Sequence, residues 1–168
     1  GYLFAMERRG YLQAGAFVPE VVLEHPEVVT QLHREFIRSG SDVVQAFTYY
    51  GHREKLKIIG KEDKLEALQK NALKIAKDAA NEFPDLDLMV AGNVANTCVY
   101  DPNDNSTIAE CRKMFEEQVA WAKEAGVDFI MAETLSWLEE AKIALKVIKE
   151  ADMIAVTNIT IHQEAKTR

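Results

Sequence analysis

A carboxylate closing an apolar run is the sharpest chemical signal in this sequence. Glu133 follows Phe129-Ile130-Met131-Ala132, and there it must find a cation or hydrogen-bond donors to offset its desolvation. A structural ion pair at the strand end meets that need, and a barrel lyase or isomerase using Glu133 as acid/base is one functional alternative. Tyr49 and Tyr50 follow another apolar run, where they are suited either to stacking on a ligand or to packing their own loop. Asn93, near the end of Leu88-Met89-Val90-Ala91-Gly92, suits a substrate contact or a turn. Thr48, Asn96, Thr134, Thr157 and Asn158 hold comparable places after apolar runs.

Other reactive residue types carry less. Cys111 shares a helical face with Phe115, Val119 and Ala122, which reads as a buried core thiol. Cys98 falls in a loop with no adjacent His or basic group and reads as inert. His25, His33, His52 and His162 lack HxxxH or HExxH spacing, which argues against a zinc site within this chain. There is no GxGxxG or GxxxxGK[ST] to cradle a phosphate. The charged run Lys61–Lys64 reads as a solvated helix start.

The elements that must position these residues alternate. Helices are predicted over Pro26–Arg38, Glu62–Asn81, Thr107–Ala125 and Ser136–Lys149, from apolar positions at helical spacing, Pro26 in a first turn, and Gly40 and Gly126 just past two ends. Thr107-Ile108-Ala109-Glu110 and Ser136-Trp137-Leu138-Glu139 have capping-box spacing. Short strands are predicted at Val43–Thr48, Leu88–Val94, Val127–Glu133 and Met153–Thr157, with a frayed end from His162 to Arg168. The order αβαβαβαβ implies a parallel sheet covered by helices. Ser39-Gly40-Ser41-Asp42-Val43-Val44 and Ala125-Gly126-Val127-Asp128-Phe129-Ile130 repeat one helix-to-strand turn. This α/β pattern favours a (β/α)8 TIM barrel, although doubly wound sheets use the same turn. A full barrel needs about 250 residues, so four to five βα units make a partial one. In a barrel, Glu133, Tyr49, Tyr50 and Asn93 all fall at the strand ends where active sites form.

Composition sets the outer bounds. The 168 residues are 48% apolar and 28% charged, which suits one domain (residues 1–168) with a sizeable core. Twenty Lys and Arg against 27 Asp and Glu give a formal net charge of −7, which argues against nucleic acid as a partner. No apolar run approaches the roughly 18–20 residues of a membrane span, and the start lacks signal-peptide order. Two cysteines make no disulfide framework, so a cytoplasmic setting is expected. The chain opens on Gly1 and is expected to be a piece of something longer.

Residues Gly1–Tyr11, Glu24-His25-Pro26-Glu27 and Leu32-His33-Arg34-Glu35-Phe36 resemble the N-terminal part of homocysteine S-methyltransferases. Ala14–Glu20 and Gly40–Tyr50 are most similar to the betaine–homocysteine branch, and Ala132-Glu133-Thr134 and Glu139-Glu140-Ala141 continue the likeness. The resemblance is colinear over nearly the whole chain and implies a (β/α)8 barrel.

It also implies an activity. A zinc ion held by three cysteines of the C-terminal half lowers the pKa of the homocysteine thiol, and the thiolate takes a methyl group from a small cationic donor to give methionine. Zinc ligands are therefore expected outside this segment, which by itself should be inactive. Of the family's Asp-Gly-Gly, only the last glycine is present, as Gly1. By the same resemblance, Glu133 engages the homocysteine amino group and Gly1 lies against the amino acid. Phe17 stands where the betaine branch has a donor-pocket tryptophan, and Tyr49-Tyr50 stand at its aromatic pair. Betaine, dimethylsulfoniopropionate and S-methylmethionine all fit such a pocket. The expected partners are homocysteine and the methyl donor, with self-association left open. A non-catalytic partial domain is the rival of another class.

Overall fold

The computed structural model describes residues 1–12 and 16–161. Ala14 and Gly15 of the resemblance, and the end from His162 to Arg168, lie outside these. Four parallel strands form one sheet in chain order: β1 (Val43–Gln45), β2 (Met89–Ala95), β3 (Phe129–Leu135) and β4 (Ala155–Ile159). The helices are α1 (Tyr2–Arg8), α2 (Val21–Glu24), α3 (Pro26–Arg38), α4 (Arg53–Ile58), α5 (Leu65–Asn81), α6 (Ser106–Ala125) and α7 (Leu138–Glu150). Consecutive parallel strands joined through helices make this a partial (β/α)8 barrel.

Alternation along the strands sets the two faces of the sheet. Val44, Val90, Val94, Ile130 and Ala132 are buried against Leu73, Ala76, Phe115, Val119, Ala144 and Ile148 of the helix layer. Residues of the opposite parity, among them Gln45, Asn93, Met131 and Glu133, face the barrel interior. A second cluster packs Met6, Val22, Val29 and Leu32 from α1–α3 with Leu68 and Ala72 of α5.

The four long helices lie where periodicity places them. In α5 the stripe Leu65, Leu68, Ala72, Ile75, Ala76 and Ala79 is buried, and Pro26 occupies the first turn of α3. Glu62–Lys64 forms a short 3-10 turn before α5, with no buried residue. Gly126 ends α6 in the left-handed conformation at φ 70°, which glycine adopts without steric cost.

Several expectations need correction. Helices α1, α2 and α4 were not anticipated, because segments of four to seven residues are too short to display a helical period. The predicted strands at 127–133 and 153–157 lie two residues later, as β3 and β4. Asp128 is spent on the turn, where Oδ2 accepts from the Val90 amide at 2.6 Å. The Thr107–Glu110 capping box does not form as spaced. At α6 it is Asp104 that accepts from the Ser106 amide (2.9 Å), while the Thr107 hydroxyl donates to the Asp104 carbonyl (2.7 Å). Helix α7 begins at Leu138 with Trp137 as its N-cap.

Candidate active site

Three inward polar side chains meet on adjacent strands. Gln45 pairs in register with Ala91, Asn93 with Met131, and Ala95 with Glu133. Each polar residue thus sits two positions further along than its neighbour's partner, the stagger that tilted barrel strands require to bring side chains to one level. Glu133 Oε1 accepts from Asn93 Nδ2 at 2.6 Å and from Gln45 Nε2 at 2.9 Å. No basic side chain among the described residues pairs with Glu133, so amide donors, not an ion pair, offset its desolvation.

A bulge aims this carboxylate. Between Ala132, opposite Thr157, and Leu135, opposite Ile159, β3 carries one residue more than β4. Thr134 takes the left-handed conformation at φ 60°, and its carbonyl accepts from Asn96 Nδ2 at 3.1 Å. Bulges of this kind re-aim side chains at barrel rims. Phe17 (φ 53°), Tyr50 (φ 58°) and Cys98 (φ 63°) are also left-handed. For residues with a Cβ this conformation costs on the order of 1–2 kcal/mol each.

Gly1, Phe17, Tyr49, Tyr50 and Glu133 line a single cleft of about 750 Å³, together with Tyr2, Gln45, Phe47, Lys55 and Thr134. A smaller groove elsewhere, between α5 and α6, is lined by Lys70, Lys74, Lys77 and Trp121 and holds none of these residues. Asn93 is buried behind Glu133 and reaches the cleft only through that carboxylate. The rings of Tyr49 and Tyr50 lie 4.3 Å apart between centroids, tilted by 43°, and burial pushes the Tyr49 hydroxyl above its ordinary range. Lys55, from α4, places Nζ 4.2 Å from the Tyr50 ring centroid. His52 lies edge-on to Tyr50 at 6.0 Å. Burial first, and then the Lys55 ammonium, lower its pKa to about 4.

Sequence reasoning missed Gln45 and Lys55. A glutamine inside Val43-Val44-Gln45-Ala46-Phe47 was a usable signal, because an amide in a buried strand needs a partner. Lys55 sits in a polar stretch with no such mark.

The cysteines stay apart. Cys111 is buried with Sγ 3.2 Å from Thr97 Oγ1, and burial raises its pKa to about 11. Cys98 is exposed, and its thiol donates to Asn96 Oδ1 at 3.1 Å. Among the described residues no three His, Cys, Asp or Glu side chains group closely enough to hold a metal ion, and no helix is long and apolar enough to cross a membrane.

With this geometry established, known proteins give the lineage. The chain is 38% identical over 168 residues to betaine–homocysteine S-methyltransferase 1 of Bos taurus, covering 98% of this chain and 40% of that protein. It is 37% identical over 157 residues to S-methylmethionine–homocysteine S-methyltransferase BHMT2 of Pongo abelii, covering 93% of this chain and 40% of that protein. The homocysteine methyltransferase MmuM of Escherichia coli, in its metallated form, superposes with a TM-score of 0.81 at 19% identity, over 96% of this chain and 62% of that one. The chain thus spans about two fifths of the length of these two relatives and shares the barrel fold of the bacterial structure. The profile of the homocysteine S-methyltransferases matches residues 5–168, and the chain belongs to that family.

Proposed function

We propose that the whole protein carrying this chain transfers a methyl group from a small onium compound to the thiol of homocysteine, giving methionine. The new bond joins sulfur to methyl carbon, the donor's onium–methyl bond breaks, and the thiol proton passes to solvent. One observation carries this reading: an amide-held carboxylate and a tilted aromatic pair line the same cleft. Glu133 takes the amino group of homocysteine, with Gly1 and Tyr2 alongside. Tyr49, Tyr50 and Phe17 offer aromatic faces to the cationic donor, an attraction of roughly 0.5–2 kcal/mol. The relatives' names specify two donors, betaine and S-methylmethionine, and both are onium compounds. Residues 1–168 then form the N-terminal portion of the homocysteine-binding domain.

Zinc dependence belongs to the same proposal, but the described residues do not fit a zinc centre. Cys98 and Cys111 hold separate hydrogen bonds, and no third ligand joins either of them. No step is assigned to a metal in this segment, whose own task is to bind, orient and enclose. The experiment is direct: the whole protein is supplied with homocysteine and, in turn, betaine, S-methylmethionine and dimethylsulfoniopropionate, and methionine is measured. Methionine formation from at least one of the three is expected. Binding of homocysteine with no methyl transfer from any of them would overturn the reading.

A further inference from the structure

Lys55 is the only cationic side chain among the described residues that line the cleft, in a chain whose formal net charge is −7. Its helical neighbour Lys57 has Glu54 at 3.8 Å, yet among the described residues no carboxylate lies within ion-pair distance of Lys55. Its ammonium rests on the Tyr50 ring instead, 4.2 Å from the centroid. That ring is the face on which the proposed donor's cation would sit.

Two cations cannot share one aromatic face, because both seek the same negative potential and repel each other. A bound onium must therefore displace Nζ. Lys55 is tethered to α4 by a four-carbon stem, so the displaced ammonium stays beside the newcomer. That arrangement is unfavourable unless the donor brings an anion of its own. The rest of the cleft fixes where that anion lies. Glu133 lines the same cleft, and its negative charge bears on the Tyr49 hydroxyl. A second carboxylate is repelled there and attracted at the Lys55 end.

We propose that Lys55 selects methyl donors that carry a carboxylate a few ångströms from their onium centre, yielding the Tyr50 face to the onium and pairing with the carboxylate. This rests on the onium-donor reading above and narrows it to onium compounds that carry a carboxylate. It also gives the bound donor a direction, with its carboxylate at α4 and its onium on the Tyr50 ring. In the absence of donor, Lys55 holds the aromatic face itself, so carboxylate-free cations meet a competitor and gain no partner.

The test uses the whole protein and its Lys55→Met variant, which keeps chain length and removes charge. Calorimetric titrations compare glycine betaine, S-methylmethionine or dimethylsulfoniopropionate, whichever the unsubstituted protein binds, with tetramethylammonium and trimethylsulfonium, which lack a carboxylate. The carboxylate-bearing compound should bind about ten- to a hundredfold more weakly to Lys55→Met, the loss of one charge-assisted contact. The carboxylate-free cations should bind equally well or more tightly. Lys55→Arg should keep most of the affinity for the carboxylate-bearing compound, and Lys55→Gln provides a second neutral variant should Lys55→Met fold poorly. Unchanged affinity for that compound, or equal losses for both ligand classes, would overturn the role of Lys55. Methionine formation assayed on the same preparations separates the two ideas. Turnover without Lys55 discrimination removes the selector and leaves the reaction. Discrimination without turnover keeps the carboxylate subsite and removes the transfer reading. If the unsubstituted protein binds none of the five compounds, both fall.

Discussion

Glu133 shows how one carboxylate is held in place by its neighbours. Oε1 is occupied by the amides of Asn93 and Gln45, which fixes the carboxylate plane and leaves Oε2 for a ligand. In the proposed role, a ligand amine would supply the positive partner that the described protein side chains do not. Such a charge-assisted contact is worth roughly 1.5–3 kcal/mol. In the whole protein Glu133→Gln should therefore raise the homocysteine dissociation constant about ten- to a hundredfold. The melting temperature should change little, because the glutamine oxygen still accepts from the two amides. A drop in melting temperature with homocysteine affinity intact would show that Glu133 serves the fold and not the ligand. That this carboxylate matters was legible in the sequence, since its cost after an apolar run demands an answer. The answer itself was not, because Gln45 is 88 residues away and only the strand stagger brings the two together.

At the scale of elements, the sheet-to-helix distance depends on a single missing methyl group. Gly92, next to Asn93 in β2, has the Ala122 Cβ of α6 2.9 Å from where its own Cβ would stand, with Ile130 and Val127 at 3.5 Å. No rotamer relieves a clash between two Cβ atoms, so α6 must move. Gly92→Ala should destabilise the protein by about 1–3 kcal/mol, the usual cost of overpacking. Thermal or urea unfolding measures this, and Ala122→Gly supplies the other arm of a double-mutant cycle. Because the two residues touch, the double variant should be more stable than the sum of the singles predicts. Strict additivity would mean that β2 and α6 do not bear on each other at this point. The long helices that create this contact were readable because 13 to 20 residues display several turns of period. The bulge at Glu133-Thr134 was not, because one extra residue leaves the apolar alternation almost unchanged and places a β-branched threonine where φ is positive. Cost without a local sequence mark is what a strained strand end looks like from the sequence alone.

Across the whole molecule, stability should depend on pH through two histidines far apart in the chain. His33 is buried in α3, where its Nδ1 lies 2.9 Å from the Tyr2 hydroxyl. A neutral Nδ1 accepts that hydrogen bond, in keeping with the upward push of burial on the Tyr2 hydroxyl. Burial lowers the pKa of His33 to about 4. His52, buried beside Tyr50, is lowered to about 4 as well, by burial and then by Lys55. In the unfolded chain both rings titrate near 6.5. Between these values the unfolded state binds more protons than the folded one, so stability is fully present above about pH 7 and falls as the pH drops toward 4. From pH 7 to pH 5 each ring should cost roughly 2 kcal/mol, at about 1.4 kcal/mol per unit. Hydrogen bonds and charge from Arg9, Arg34 and Arg112 hold the carboxylates of Glu35, Glu82 and Glu150 low, so their contribution is fully present above the ordinary carboxylate range and joins the decline only at its acid end. Melting temperatures measured in steps from pH 7.5 to 4.5 should therefore decline from about pH 6.5 downward. His33→Gln and His52→Gln should each be less stable at pH 7 yet lose part of that decline, and the double variant most of it. Variants that follow the parent's slope would show that neither ring is held neutral by the fold, and the decline would then belong to other groups.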